Sequence, residues 1–380
     1  MLNAVILPPA MLGLLGGGQL GRLFVLAAKS CGYRVSVLDP DPQAPAADVA
    51  DEHICAAYND SMALARLKDS CEAITIEFEN VDVQAMAYLA NFVPVIPPPQ
   101  SVAISQDRIQ EKAFCRRIGL PTAPYHEIIS SEDLKRDLQA YFPGRLKVAR
   151  CGYDGRGQYK VPDAAALGEA YRASGEQPCI LEKQLPLAKE LSVIVVRSQQ
   201  QQTAVFPVAE NQHINGILDT SMVPANIPAS LAQQAQAMAL QLVDALAYVG
   251  VLAVEFFVLA DGRLLVNEMA PRPHNSGHYT IDACLSSQYE QQLRMMCGFD
   301  PAQTDLLMSA VMVNLLGEAW HRGTPNWQTL LACGNVKLYL YGKTQARPGR
   351  KMAHFTVLAK ETGAAYQQAQ QLKHRLEATA

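Results

Sequence analysis

Short apolar runs alternate with stretches of helical period along the first hundred residues. Residues 11–15, 34–38, 73–76 and 93–96 have the length and composition of buried strands. Helical patterns separate them, up to about Ser30, over 61–68 and from about Asp82. Strands alternating with helices predict an open, parallel α/β sheet of Rossmann-like type. The first eighteen residues, MLNAVILPPAMLGLLGGG, carry no Lys or Arg and are broken by Pro8-Pro9, so they read as a buried strand rather than a signal peptide. Pro97-Pro98-Pro99 reads as a boundary or stiff link. Residues 105–118 read as a helix with Asp107, Arg108 and Lys112 exposed.

A second unit begins near Gly119. Strands are expected at 146–150, up to Val161, and at 179–182, then at 190–196 and 203–207 with a glutamine-rich turn between them. Glu210 to His213 reads as a polar cluster following a strand. Residues 229–246 form an amphipathic helix, 287–296 another, and 309–315 and 335–341 two further strands.

The most informative pattern is the pair of apolar runs 251–260 and 263–269, split by Asp261-Gly262, a strong hairpin signal. A two-residue turn there sets Ala260 opposite Arg263 and, counting back, Glu255 opposite Glu268. Directly opposed residues have Cβ atoms about 4.5–5.5 Å apart. Two carboxylates that close among Val, Leu and Phe repel, so either one holds a proton or a cation sits between them. A Mg²⁺ ion open to phosphate oxygens suits such a pair, with Asn267 as a further oxygen. The strand then runs into Arg272, His274, Asn275, Ser276 and His278.

Composition narrows the classes. The 380 residues allow two or three domains, and a net charge of −4 argues against a general nucleic-acid binder. Nine scattered cysteines without C-x-x-C fit reduced thiols in a cytoplasmic enzyme. No uncharged apolar stretch reaches the roughly 18 residues of a membrane span.

Two glycine loops carry candidate chemistry. Gly16, Gly18 and Gly21 follow a strand and open a helix, and Asp39 ends the next strand, where a dinucleotide ribose would be held. Glu77-Phe78-Glu79-Asn80 ends a further strand at the crevice of the same sheet. Gly152-Tyr153-Asp154-Gly155-Arg156-Gly157-Gln158 places three glycines between two strands, a mobile flap whose N–H groups can close on phosphates. Lys147 lies just upstream. No Walker sequence occurs. Lys343, Arg347, Arg350 and Lys351 gather around Pro348-Gly349, a turn suited to one phosphate.

GGGQLGR at 16–22, E-x-E-N at 77–80, GYDGRGQ at 152–158, NEMAPRPHNSGH at 267–278 and RPGRK at 347–351 together resemble the N5-carboxyaminoimidazole ribonucleotide synthases, ATP-grasp ligases of purine synthesis. The resemblance spans nearly the whole chain in matching order. Cys151 departs from it, standing where the family usually has glycine. The resemblance implies an α/β and α+β ATP-grasp fold: an N-terminal α/β domain (1–104), a lid with the flap (105–183) and a larger ATP-binding domain (184–380).

It also implies ATP-dependent carboxylation of 5-aminoimidazole ribonucleotide by bicarbonate through carboxyphosphate, with Mg²⁺, or Mn²⁺ in its place, and a homodimer. Carried over by position, Arg108, Lys147, residues 152–158, Glu182, Lys183, Gln184, Leu185, Glu190, His213, Asn267 and Glu268 bind ATP. Glu182 and its neighbours meet the adenine, Glu190 the ribose and Lys147 the phosphates. Glu255 and Glu268 hold the metal. Gln19, Leu20, His274, Asn275, Ser276, Lys343, Arg350 and Lys351 bind the acceptor, and Glu77, Tyr153, Arg156, Arg272 and Lys351 serve the chemistry. A related ligase for another ribonucleotide amine is the nearest competing reading. An NAD-dependent oxidoreductase built on the 16–21 loop would leave GYDGRGQ and the Glu255/Glu268 pair unused.

Overall fold

The computed structural model describes residues 5–152 and 157–379. Three sheets organise the chain. The first is parallel, with strands β1 (Met11–Leu15), β2 (Arg34–Leu38), β3 (Glu52–Ile54), β4 (Ala73–Ile76) and β5 (Val95–Ile96) in the order β3-β2-β1-β4-β5. Helices α1 (Gln19–Ser30), α2 (Ser61–Ser70) and α3 (Val83–Ala90) make the connections. The strand order reverses between β1 and β4. That reversal opens a crevice at their C-terminal ends, where such sheets take ligands, and both the glycine loop and Glu77 lie there. The short strand β3 was invisible in the pattern because Glu52 and His53 hide its alternation.

The proline run is not a linker. Pro98 precedes helix α4 (Pro99–Ser105), and Pro99 opens it, a position where a missing N–H is harmless. Helix α5 (Arg108–Arg117) follows, capped by Asp107, whose carboxylate accepts from the Ile109 amide at 3.0 Å. The helix expected over 105–118 is α5, starting at Arg108 after the separate α4, and Arg108 and Lys112 are not exposed but buried, at 8% and 1% exposure. Charges so deep need partners, and theirs come from two other sheets.

The second sheet is antiparallel, with β6 (Tyr125–Ile128), β7 (Gly144–Val148), β8 (Gln158–Val161) and β9 (Cys179–Lys183) in the order β6-β9-β7-β8, backed by α6 (Ala164–Ala173). β7 starts earlier than expected, and the chain leaves it at Cys151, which has φ +61°. That left-handed conformation suits glycine better than cysteine. It gives a physical reason for the glycine usual there.

The third sheet holds β10 (Leu187–Arg197), β11 (Thr203–Val205), β12 (Ala209–Ile214), β13 (Ile217–Val223), β14 (Gly250–Leu259), β15 (Leu264–Ala270), β16 (Ser309–Leu316), β17 (Val336–Leu340) and β18 (Lys351–Ala359). Its order is β15-β14-β10-β12-β13-β16-β18-β17, with β11 added on β10. The Glu210–His213 cluster lies inside β12 and not after a strand. Alternation explains the miss: Asn211 points into the protein while Glu210 and Gln212 are half-exposed, so the run reads as polar throughout.

Helix α7 (Ala229–Ala245) covers one face of β10 and β14 through Ala235, Ala239, Leu242 and Val243. Short α8 (Thr280–Ala283) leads into α9 (Gln288–Met296), which joins the first sheet to the third. There the Gln292 amide donates to Thr75 at 2.8 Å and accepts from the Val251 amide at 2.8 Å. Short α10 (Gln328–Leu331) and α11 (Thr362–Thr379) close the C-terminal end over β16 and β18. No helix among the described residues is long and apolar enough to cross a membrane.

Candidate active site

Two cavities of about 810 and 560 Å³ meet where the three sheets converge. The larger is walled by Lys147, Gln158, Glu182 to Leu185, Glu190, His213, Glu255 and Asn267. The smaller is walled by Gly18, Gln19, Leu20, Glu77, Glu79, Glu111 and Arg272. Arg108, Glu268, His274, Asn275 and Lys351 line both. A group passed from one cavity to the other would pass these five.

The Glu255–Glu268 opposition is present, though not by the expected route. The turn has three residues: Leu259 donates to the Arg263 carbonyl at 2.9 Å, and Gly262, at φ +85°, donates back to Leu259. That shifts the strands by one, so Val258 faces Leu264. A bulge between Glu255 and Phe256 then inserts Asn267 and restores the pairing. The bulge also turns Asn267 toward Glu255, its amide 3.5 Å from that carboxylate.

Burial, reinforced by Glu268, pushes Glu255 up to about 7. Partial burial would raise Glu268 too, whose side chain is 37% exposed, but the Arg108 guanidinium at 2.7 Å holds it down at about 2. The two carboxyls are thus driven in opposite directions, Glu255 up and Glu268 down. The Asn267 side-chain oxygen is buried with no partner among the described residues. Two hard carboxylates and an unpaired amide oxygen on one wall fit a Mg²⁺ ion.

Helix α5 holds this bulge from behind. Arg108 bonds the Glu268 carboxylate, Glu111 accepts from the Met269 amide at 2.6 Å, and Lys112 donates to the Asn267 carbonyl at 3.4 Å. The helix also touches the root of the flap, since the Arg108 amide donates to Ala149 at 2.9 Å and its guanidinium to Gly152 at 3.4 Å. Glu111, lifted to about 8 by burial, escaped the sequence reading, and Lys112 entered it only as an exposed residue. Their spacing from Arg108, three and four residues, was the available signal.

Lys147 and Lys112 both reach Glu182, each at 2.7 Å. Glu190 and His213 pair at 2.9 Å. Burial alone would lower the His213 pKa, but the Glu190 bond and the Glu255 charge raise it. His274 sits 3.5 Å from Glu255, with burial and the nearby Arg272 pressing it down to about 3. It is therefore a neutral ring, oriented through Nδ1 by Ser276 at 2.9 Å. Ser276 itself is wholly buried, bonded to Ser192 at 2.8 Å, and lines neither cavity. It positions its neighbours and does not face a ligand.

The first glycine loop binds the protein's own carboxylates. Gly17 donates to Asp39 at 2.7 Å, and Gly18 and Gly21 donate to Glu77 at 2.8 and 2.9 Å. Asp39, also bonded to the Tyr58 hydroxyl at 2.8 Å, is 8% exposed and braces the turn, so it is not a ribose ligand. Of this loop, Gly18, Gln19 and Leu20 still face the smaller cavity. Burial raises Glu77 despite its two amide donors. Arg272 is tied to Glu79 at 2.5 Å.

Lys343 reaches the Gln19 side chain and donates to the Lys351 carbonyl at 2.7 Å, joining the basic turn to α1. Arg350 donates to the Gln345 carbonyl at 2.9 Å and lines neither cavity, whereas Lys351 lines both. Adjacent residues entering a strand face opposite ways. Gly152, Gln158 and Gly157 belong to the described part of the flap; Tyr153, Asp154, Gly155 and Arg156 lie outside the described residues.

Comparison with known proteins gives this geometry a family. Residues 10–106 match the ribonucleotide synthetase preATP-grasp domain, 113–289 the ATP-grasp domain, and 310–368 the phosphoribosylaminoimidazole carboxylase C-terminal domain. A Bacillus subtilis protein named N5-carboxyaminoimidazole ribonucleotide synthase is 42% identical over 359 residues, 94% of this chain and 94% of its own. One of the same name from Brucella melitensis is 44% identical over 358 residues, 93% and 98% of the two chains. The chain belongs to the N5-carboxyaminoimidazole ribonucleotide synthase family.

A crystal structure of an N5-carboxyaminoimidazole ribonucleotide synthetase with ADP matches all of both chains, with a TM-score of 0.93 at 42% identity. The Aspergillus clavatus synthase, solved with ADP and 5-aminoimidazole ribonucleotide, matches with a TM-score of 0.88 at 31% identity over all of both chains. As a synthase of this family, the chain is an ATP-grasp ligase. Its reaction is the ATP-dependent carboxylation of 5-aminoimidazole ribonucleotide in purine biosynthesis.

Proposed function

We propose that ATP occupies the larger cavity and the ribonucleotide the smaller, with carboxyl transfer across their shared wall. The observation that carries this reading is the opposed Glu255–Glu268 pair on the wall between the cavities: both carboxyls face the larger one, and Glu268 faces the smaller as well. Adenine would lie by Glu182 to Leu185, the ribose by Glu190 and His213, and the phosphates by Lys147, Arg108 and residues 152–158. Glu255, Glu268 and Asn267 would hold Mg²⁺. When bound, that ion neutralises charge on the phosphates.

The protein's own groups do the rest. Lys147 and Arg108 draw the phosphates to the shared wall, and Lys351, with Tyr153 and Arg156, holds the bicarbonate end beside the amine. Holding reactants this way is worth about 7–11 kcal/mol of barrier in the best cases. Carboxyphosphate is hydrolytically labile, so closure over the cavity must exclude water. Glu77, at the crevice, orients the amine or takes its proton. We further take the division at 104 and 183, a homodimer and a cytoplasmic setting as the working organisation.

The test is phosphate release from ATP with and without bicarbonate and 5-aminoimidazole ribonucleotide. Both should be needed for full rate. Stimulation by another amine, such as glycinamide ribonucleotide, would move the chain to a different ligase.

The ribonucleotide phosphate needs cations apart from the ATP site. Lys343, Lys351 and Arg350, whose guanidinium would leave the Gln345 carbonyl, supply them beside Gln19 and Leu20. Charge-assisted bonds of this kind are worth about 1.5–3 kcal/mol. Arg350→Ala should raise KM for the ribonucleotide by roughly 10- to 100-fold and leave KM for ATP unchanged. Lys351→Ala should lower kcat as well. If Arg350→Ala instead weakened ATP alone, the basic turn would belong to the nucleotide.

A further inference from the structure

Lys351 opens β18 and lines both cavities, yet the regular ladder does not fix it. Leu315 pairs with Ala353 and Leu316 with Lys351, so Met352 bulges between them. A firmer hold lies three residues past Lys351. His354 is wholly buried, and its ring stacks on that of His278, with centroids 4.4 Å apart and planes 24° from parallel. Tyr339 of β17 stacks on His354 as well, at 4.8 Å and 10°. His278 lies in the segment that matches the ATP-grasp domain and His354 in the one that matches the C-terminal domain, so the stack joins these two parts of the chain.

Each imidazole is oriented at Nδ1. The Tyr289 hydroxyl shares a hydrogen bond with His278 at 3.0 Å, and the Tyr341 hydroxyl shares one with His354 at 2.8 Å. Both Nε2 atoms are buried without a partner among the described residues. Burial presses both rings toward the neutral form, His354 down to about 3, and His354, His274 and Lys351 press His278 lower still. Neutral rings can lie face to face where two cations would repel. The cluster also reaches the basic turn. The Lys343 ammonium stands 5.6 Å from the centre of the Tyr341 ring and donates to the Lys351 carbonyl at 2.7 Å.

We propose that His354 is a positioning residue for the carboxylation: its stack on His278 sets where β18 delivers the Lys351 ammonium to the shared wall. His278 continues the segment that carries Glu268 and His274, so a fixed ring-to-ring spacing fixes Lys351 relative to both. An aliphatic side chain of similar size would fill the space and still let the strand slide against that segment. A displacement of about 1 Å at a reacting group can cost on the order of 100-fold in rate. The inference rests on the placing of Lys351 at the bicarbonate end, made above, and deepens it.

The experiment compares His354→Phe with His354→Leu. Both are apolar and both lose the bond to Tyr341, but only Phe can stack on His278. The Phe variant should keep most of the parental kcat. The Leu variant should lose roughly 10- to 100-fold in kcat, with KM for ATP unchanged and a melting temperature like that of the Phe variant. Coupling to Lys351 is read from the double variant. Lys351→Ala combined with His354→Leu should turn over no more slowly than Lys351→Ala alone, because a residue that acts through another adds no separate loss. Equal kcat in the Phe and Leu variants, or multiplied losses in the double variant, would overturn the inference, and so would failure of either single variant to fold. Parental turnover in Lys351→Ala by itself would instead remove Lys351 from the bicarbonate end, and with it the reading on which this inference rests.

Discussion

Glu268→Gln and Glu255→Gln should each lower Mg²⁺-dependent ATP turnover by on the order of 10²- to 10³-fold, the range seen when a preorganised charge-stabilising group is lost. Their stabilities should part company. Glu268 answers a guanidinium that is only 10% exposed, so its neutralisation leaves Arg108 short of a partner and should remove about 1–3 kcal/mol. Glu255 has no guanidinium bonded to it among the described residues, and it faces the Glu268 charge. Removing its own charge relieves repulsion, and the metal-free Glu255→Gln protein should melt at or above the parent temperature. Urea unfolding of the metal-free proteins and phosphate release with Mg²⁺ check both halves. Near-parental turnover in both variants would remove the metal from this hairpin.

That pair also shows how the chain's sequence is legible and where it stops. Counting from Asp261-Gly262 put the right residues opposite each other, but with a two-residue turn and no bulge. The real hairpin has one residue more in its turn and one more in β15, and the two offsets cancel. Periodicity sees apolar alternation, and a bulge at a half-polar residue such as Asn267 leaves it almost unmarked. The motifs placed the walls of both cavities well because each is contiguous: 16–21, 182–185 and 267–275 arrive as runs.

What failed was burial of charge. Arg108 and Lys112 read as solvent-facing because nothing local shows that Glu268 and Glu182, 160 and 70 residues on, will come to meet them. Asp39 misled for a related reason. A carboxylate after the second strand has the same spacing whether it holds a ribose or, as here, ties down Gly17 and Tyr58.

The sharpest consequence of that buried charge lies at Glu182. Its side chain is 5% exposed, and it faces Lys112 at 1% and Lys147 at 6%. One carboxylate cannot neutralise two ammoniums, so a positive charge is left over. The titrations divide accordingly. Burial would raise Glu182, but the two lysines hold it down at about 2. Burial lowers Lys147 despite its bond to Glu182, and of the two lysines it is Lys147 that lines the larger cavity. Because Glu182 lies below its ordinary 4.5, its contribution is complete above about pH 4.5 and fades as pH falls toward 2.

Glu182→Gln leaves two buried cations unanswered and should remove about 3–5 kcal/mol of stability near neutral pH. It should also flatten the acid limb of the stability curve. Lys147→Met should do the opposite. It leaves a neutral Lys112–Glu182 pair, so the ligand-free protein should be as stable as the parent or more so, while ATP binds roughly 10- to 100-fold more weakly. The leftover charge is then one held for the phosphates, and ATP with Mg²⁺ should protect the parent far more than Lys147→Met. Urea titrations with and without nucleotide measure all of this. If Lys147→Met destabilised the ligand-free protein as much as Glu182→Gln, the second lysine would be holding the lid together and its assignment to ATP would fall.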